Sequence, residues 1–211
     1  ISHNANSTTI QRNIFETIGR ESVAEGCASG TTLANPVNDH GIYLQGGSTA
    51  TIKNNYFITH KKGWGIQFHS TSTAMSGVNI YNNTFYGNGG NVSGHIILGS
   101  TNLNSSVNIK NNIFDTPLNY ATTRYISGTG TFSAVVISNN QTSVATFDNP
   151  SALDGPLCSA AGVTCSSNAT STASGFVNGA THDFSLTSGA AAINAGVDVG
   201  LPYLSTAPDK G

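Results

Sequence analysis

The side chains able to do chemistry are few, and their spacing narrows what they can do. Carboxylates stand at Glu16, Glu21, Glu25, Asp39, Asp115, Asp148, Asp154, Asp183, Asp198 and Asp209. No Asp-Asp or Asp-x-Asp pair occurs among them, and none falls inside the strand-like strings described below. Neither an acid/base couple for hydrolysis nor a carboxylate cradle for calcium is therefore written into one short segment. The histidines show no ligand spacing, so neither a metal nor another cofactor is expected. Two kinds of chemistry are left. His69 or His95, with Tyr43 or Lys53, could take a proton beside a uronate carboxylate without a metal, given a neutralising cation such as Lys61 or Lys62. Alternatively, Lys53, Tyr81 and Lys110, with Gln67 and Trp64, could hold an acidic sugar by ring stacking and charge pairing. The competing reading is a solvated sheet face with ordinary lysines, since single exposed charges need no explanation.

These residues must be positioned by a repeat. Val107-Asn108-Ile109-Lys110-Asn111-Asn112-Ile113-Phe114 is matched by Thr8-Thr9-Ile10-Gln11-Arg12-Asn13-Ile14-Phe15, Ala50-Thr51-Ile52-Lys53-Asn54-Asn55-Tyr56-Phe57 and Val78-Asn79-Ile80-Tyr81-Asn82-Asn83-Thr84-Phe85. A weaker copy is Val135-Val136-Ile137-Ser138-Asn139-Asn140-Gln141-Thr142. The motif isoleucine stands at 10, 52, 80, 109 and 137, in steps of 42, 28, 29 and 28. A second string alternates with it: Gly41-Ile42-Tyr43-Leu44, Gly65-Ile66-Gln67-Phe68, His95-Ile96-Ile97-Leu98 and Tyr125-Ile126-Ser127. Period-two apolar alternation bounded by Gly and Asn reads as strands, two per coil, in a solenoid.

Stacking one coil on the next predicts three interior columns: Ile10, Ile52, Ile80, Ile109, Ile137; Phe15, Phe57, Phe85, Phe114; and a ladder of Asn13, Asn55, Asn83, Asn112 and Asn140. Asn tolerates a left-handed bend, and its amide both donates and accepts. If the isoleucines point inward, the outward rows are Gln11, Lys53, Tyr81, Lys110, Ser138 and Thr9, Thr51, Asn79, Asn108, Val136. On the second strand they are Tyr43, Gln67, Ile97, Ser127 and Gln45, His69, Gly99, Thr129, with His40, Trp64 and His95 on or beside that face.

These two strings resemble coils of the right-handed parallel β-helix, the pectate-lyase-like superfamily. The tail is similar to the closing segment of secreted bacterial β-helix proteins, in Gly175-Phe176-Val177-Asn178 and in Asp183-Phe184-Ser185-Leu186 running on to Asn194-Ala195-Gly196. The resemblance implies an all-β, right-handed parallel β-helix of about five coils with the C-terminal tail packed along it. The coils are read as 1–39, 40–63, 64–93, 94–123 and 124–152, with an insertion over 19–39. Residues 153–211 form a loop and tail of the same domain. Lyases and hydrolases of that superfamily use carboxylate clusters or pairs that find no counterpart here.

Only 9% of residues are charged and the net charge is −2, which leaves no basic footprint for nucleic acid. No apolar run is long enough to span a membrane. The chain has no starting Met and no signal-like segment, and reads as a mature product or an excised fragment. Cys158 and Cys165 could close a small disulfide loop in an extracellular or cell-surface setting, with Cys27 left over. Sequons occur at Asn6, Asn82, Asn91, Asn104, Asn140 and Asn168. The expected function is a non-catalytic extracellular β-helix, either structural or adhesive and glycan-binding. Its partners would be polysaccharide or further copies of itself, stacked end to end into a filament through an uncapped first coil. The alternative is a polysaccharide lyase or related enzyme acting on an acidic polysaccharide.

Overall fold

The computed structural model describes residues 2–3, 7–19, 39–47, 49–61, 63–71, 73–88, 94–100, 102–116, 124–143 and 157–211, with Ser2, His3 and Arg124 described by backbone alone. Most of the 19–39 insertion with Cys27, and Lys62, Asn6, Asn91, Asp148 and Asp154, lie outside the described residues.

The chain winds as a parallel β-solenoid. Strands β1 (Ser2–His3), β2 (Thr8–Gln11) and β3 (Ile14–Glu16) are followed by β4 (Ile42–Gln45), β5 (Ala50–Lys53) and β6 (Tyr56–Ile58). Next come β7 (Ile66–Ser70), β8 (Met75–Ser76), β9 (Val78–Tyr81) and β10 (Thr84–Tyr86), then β11 (Gly94–Ser100), β12 (Leu103–Ser105), β13 (Asn108–Lys110) and β14 (Ile113–Asp115). The series continues with β15 (Arg124–Gly128), β16 (Thr131–Ser133), β17 (Val135–Ser138) and β18 (Gln141–Thr142), and ends in β19 (Val163–Ser166), β20 (Phe176–Asn178) and β21 (Asp183–Leu186). Sheet A is β1-β4-β7-β11-β15, sheet B is β2-β5-β9-β13-β17-β19, sheet C is β3-β6-β10-β14-β18, and the short sheet D is β8-β12-β16. All pairings within these sheets are parallel.

Two expectations from the sequence are corrected here. The repeat predicts two strands per coil, but each motif breaks into two of its own. The first Asn of the pair takes left-handed φ, 54° at Asn54, 50° at Asn82, 58° at Asn111 and 56° at Asn139, and turns the chain from sheet B into sheet C. The left-handed bend thus belongs to the first Asn and the ladder to the second. Glu16 and Asp115 consequently end the sheet C strands β3 and β14 instead of lying outside every strand. The second correction is the coil count. Among the described residues, three turns carry all four strands, β7–β10, β11–β14 and β15–β18, against the five coils read from the motifs.

The interior columns form in register. Ile10, Ile52, Ile80, Ile109 and Ile137 pair rung to rung and are buried. The rings of Phe15, Phe57, Phe85 and Phe114 stack at centroid spacings of 4.8, 4.6 and 4.9 Å. In the ladder, each Asn Nδ2 donates to the Oδ1 of the next, from Asn13 through Asn55, Asn83, Asn112 and Asn140 to Asn168, at 2.9–3.1 Å. Each Oδ1 also accepts the preceding rung's backbone N–H. Amides satisfied on both sides can be buried without the usual desolvation penalty.

The solenoid continues past residue 152. Val163-Thr164-Cys165-Ser166 pairs with β17 and puts Cys165 opposite Ile137, while Asn168 extends the ladder by another step of 28. Residues 163–168, inside the stretch read as loop and tail, are therefore a degenerate further copy of the motif, with Cys in the isoleucine position. Leu157, from a 3-10 turn at Leu157–Ser159, plugs the interior beside Gly128. Cys158 is disulfide-bonded to Cys165, which ties that plug to β19. Replacing Cys158 by Ser should lower stability by roughly 2–3 kcal/mol, the closure entropy of so short a loop. This is read as a lower urea midpoint that matches the wild type under reductant. An unchanged midpoint would mean that Leu157 holds the cap by packing alone.

The tail then packs along sheet C. Strands β20 and β21 form an antiparallel hairpin. Phe184 sits against Tyr56 and Tyr86 at 5.1 and 5.3 Å, and Phe176 against Tyr86. Asn111 clamps Val197 like a strand partner: its Nδ2 donates to the Val197 carbonyl and its Oδ1 accepts the Val197 N–H. Among the described residues, no helix is long and apolar enough to cross a membrane.

Candidate functional site

Sheet A carries one candidate surface. Register places Tyr43 opposite Gln67 and Gln45 opposite His69, so their side chains share the outer face as the alternation predicts. The His40 and Tyr43 rings lie 5.6 Å apart, and those of Tyr43 and His69 5.8 Å apart, making an aromatic row. A shallow groove of about 280 Å³ opens beside it, bounded by Tyr43, Gln45, His69 and Thr73. His40 accepts the Trp64 backbone N–H at Nδ1, and burial pushes its pKa down to about 4, so it is a neutral, fixed ring at pH 7. The row offers a platform for an apolar sugar face. Proton abstraction beside a carboxylate also needs a cation, and none lines this groove among the described residues.

The residues named for base chemistry are dispersed. Tyr43 and His69 meet, but Lys53 projects from sheet B. His95 is fully buried, its ring packed among Phe85, Phe114 and Tyr125 at 5.0–5.3 Å. Alternation along β11 would turn His95 outward. It points inward because it stands at the corner where the chain enters sheet A. In two other coils that corner is Gly41 or Gly65, and a Cβ at Gly41 would come within 2.9 Å of the His60 ring. His60 and His95 thus fill the same interior corner in different coils. Trp64 is 4% exposed, so its indole is a core ring and not a sugar platform.

Sheet B carries the second surface. Gln11, Lys53, Tyr81, Lys110 and Ser138 form one unbroken rung-to-rung row, and Thr9, Thr51, Asn79, Asn108 and Val136 form the next. Tyr81 donates its hydroxyl to Asn79 Oδ1 at 2.8 Å, and Asn108 Nδ2 donates to the same oxygen at 3.0 Å. These bonds fix the Tyr81 ring, and partial burial raises its phenol pKa. Among the described residues, Lys53, Lys110 and Arg12 have no ion-pair partner. The sequence-derived row is therefore one contiguous polar strip with two available ammonium groups around an anchored ring.

A groove adjoins this strip that no sequence pattern announces. The tail segment 201–211 crosses the B–C turn and leaves a cleft of about 390 Å³, lined by Arg12, Lys53 and Asn54 from the solenoid and by Tyr203 and Asp209 from the tail. Asp209 is held in place: its Oδ1 accepts the Asn194 N–H, and its carbonyl accepts from Asn82 Nδ2. Tyr203 is 43% exposed.

The described sequons are occupied structurally. Asn104 and Asn140 are buried, Asn168 belongs to the ladder and Asn82 binds the tail, so a glycan at any of them would break a bond of the fold. No group of three metal-ligating side chains comes together among the described residues. The chain matches no protein-family model, no curated protein and no solved structure.

Proposed function

We propose that this protein is a non-catalytic, extracellular or cell-surface glycan-binding solenoid that lays an acidic polysaccharide along the outer face of sheet B. The observation that carries the reading is the in-register row Lys53–Tyr81–Lys110 beside Asn79 and Asn108. Rungs repeat every ~4.8 Å, close to the rise of one sugar in an extended polysaccharide. A chain running along the solenoid axis would meet one side chain of the row per sugar. The ammonium groups would pair with carboxylates, the Tyr81 ring would stack on a pyranose face, and the neighbouring amides would meet hydroxyls.

Calorimetric titration with an acidic and a neutral polysaccharide of similar size tests this. The acidic polymer should bind, more weakly as salt rises, and Tyr81→Ala should weaken it by about tenfold, a loss typical of one stacked ring. No binding of the acidic polymer at low salt would remove the reading. The contact of Tyr43 with His69 favours a second reading, a polysaccharide lyase. The same mixtures decide it, because lyase products carry a new double bond and raise the ultraviolet absorbance.

A further inference from the structure

Arg12 stands apart by its charge at its position in the repeat, where the other copies carry Asn or, at Ser167, a short hydroxyl. Asn54, Asn82, Asn111 and Asn139 take the left-handed bend in the following coils, where a short amide is tolerated. In the first coil the same bend, at φ 59°, is made by arginine. A long cationic side chain gains nothing from that backbone, yet this one stands exposed at the lip of the 390 Å³ cleft between tail and solenoid. Lys53 lines the same cleft, and neither cation has an ion-pair partner among the described residues. Opposite them the tail places an exposed Tyr203 ring, and Asp209 contributes carboxylate oxygens able to accept from hydroxyls.

We propose that this cleft is a subsite for one acidic sugar residue. Its carboxylate or sulfate is held between Arg12 and Lys53, its ring stacks on Tyr203, and its hydroxyls bond Asn54 and Asp209. The mixed charge is what selects a sugar. Asp209 repels a bare inorganic anion but receives the hydroxyls of a saccharide. Volume agrees, since about 390 Å³ is room for one or two sugar rings. The proposal rests on the glycan-binding reading of sheet B and adds a site that grips a chain end or a branch where the Lys53 row begins. It also gives the tail a function, because most of the cleft's walls come from residues 201–211.

The test uses the full chain and three ligands: a uronic acid disaccharide, a sulfated disaccharide and the acidic polymer. Arg12→Gln and Tyr203→Ala are made in the cleft and Lys110→Gln on the sheet face. All three positions are at least partly exposed, so unchanged thermal midpoints verify folding. The expected result is disaccharide binding that falls about tenfold in either cleft variant, the worth of one strong contact, while Lys110→Gln weakens the polymer more than the disaccharide. Whether the uronate or the sulfated disaccharide binds more tightly identifies the anionic group. Polymer binding that survives both cleft variants, with no disaccharide binding, would overturn the subsite and leave the sheet reading standing. Absence of binding to every acidic ligand would overturn both.

Discussion

Asn83→Ala is expected to destabilise the solenoid by roughly 3–4 kcal/mol, whereas Asn13→Ala costs less than about 1. Both remove the same amide from the same motif. Asn83 is fully buried at mid-ladder: its Oδ1 accepts the Asn55 backbone N–H at 3.0 Å and Asn55 Nδ2 at 2.9 Å. Its Nδ2 donates to the Ile52 carbonyl and to Asn112 Oδ1, both at 3.0 Å. Alanine leaves the Asn55 N–H facing a dry interior with no acceptor, and a buried donor without a partner costs about 1–3 kcal/mol by itself. Asn13, at the exposed end, leaves groups that water reaches. Urea denaturation gives the two differences, and amide exchange at Asn55 should speed up in Asn83→Ala alone. Equal, small losses at both positions would show that the Ile and Phe columns hold the coils without the ladder.

Lowering the pH from 7 to 5 should destabilise the protein by roughly 2 kcal/mol for each of the two core histidines. Burial pushes His60 down to about 4 and His95 down to about 3, against 6.5 in a solvated chain. The unfolded chain therefore binds more protons than the folded one between about pH 6.5 and 4. Stability is full above that window and falls as pH drops through it, by about 1.4 kcal/mol per unit per histidine. His95 accepts from Asn88 at Nδ1, and a second ring proton would break that contact and leave a charge among three aromatic rings. His60 accommodates its proton against the Phe15 carbonyl, 3.3 Å from Nε2, and has no bonded partner at Nδ1. Half-buried His40 shifts the same way, but solvent screens its contribution. His95→Phe, which keeps the aromatic column, should remove about half of the pH dependence of the denaturation midpoint. A wild-type midpoint that does not move between pH 7 and 5 would mean that these imidazoles are reached by water.

Motif spacing alone specifies the parallel solenoid, its register and its ladder. A motif returning every 28 or 29 residues can satisfy its amides and bury its isoleucines only by stacking on itself, so rows such as Lys53–Tyr81–Lys110 follow from counting. The sixth ladder residue was legible too, because Asn168 follows Asn140 by the same 28 as Asn140 follows Asn112. It was obscured by Cys165 in the isoleucine position, where the need for a disulfide replaced the usual residue. The remaining features depend on packing between distant segments. Alternation fails at corners, where the backbone direction changes and the next residue faces whatever void the neighbouring coils leave. That turned His95 and Trp64 inward and dissolved the expected group of His69, His95, Tyr43 and Lys53. The cleft at Arg12 depends on where a tail without the repeat docks. That docking is fixed by contacts between residues such as Asn111 and Val197, 86 positions apart, for which local spacing carries no signal.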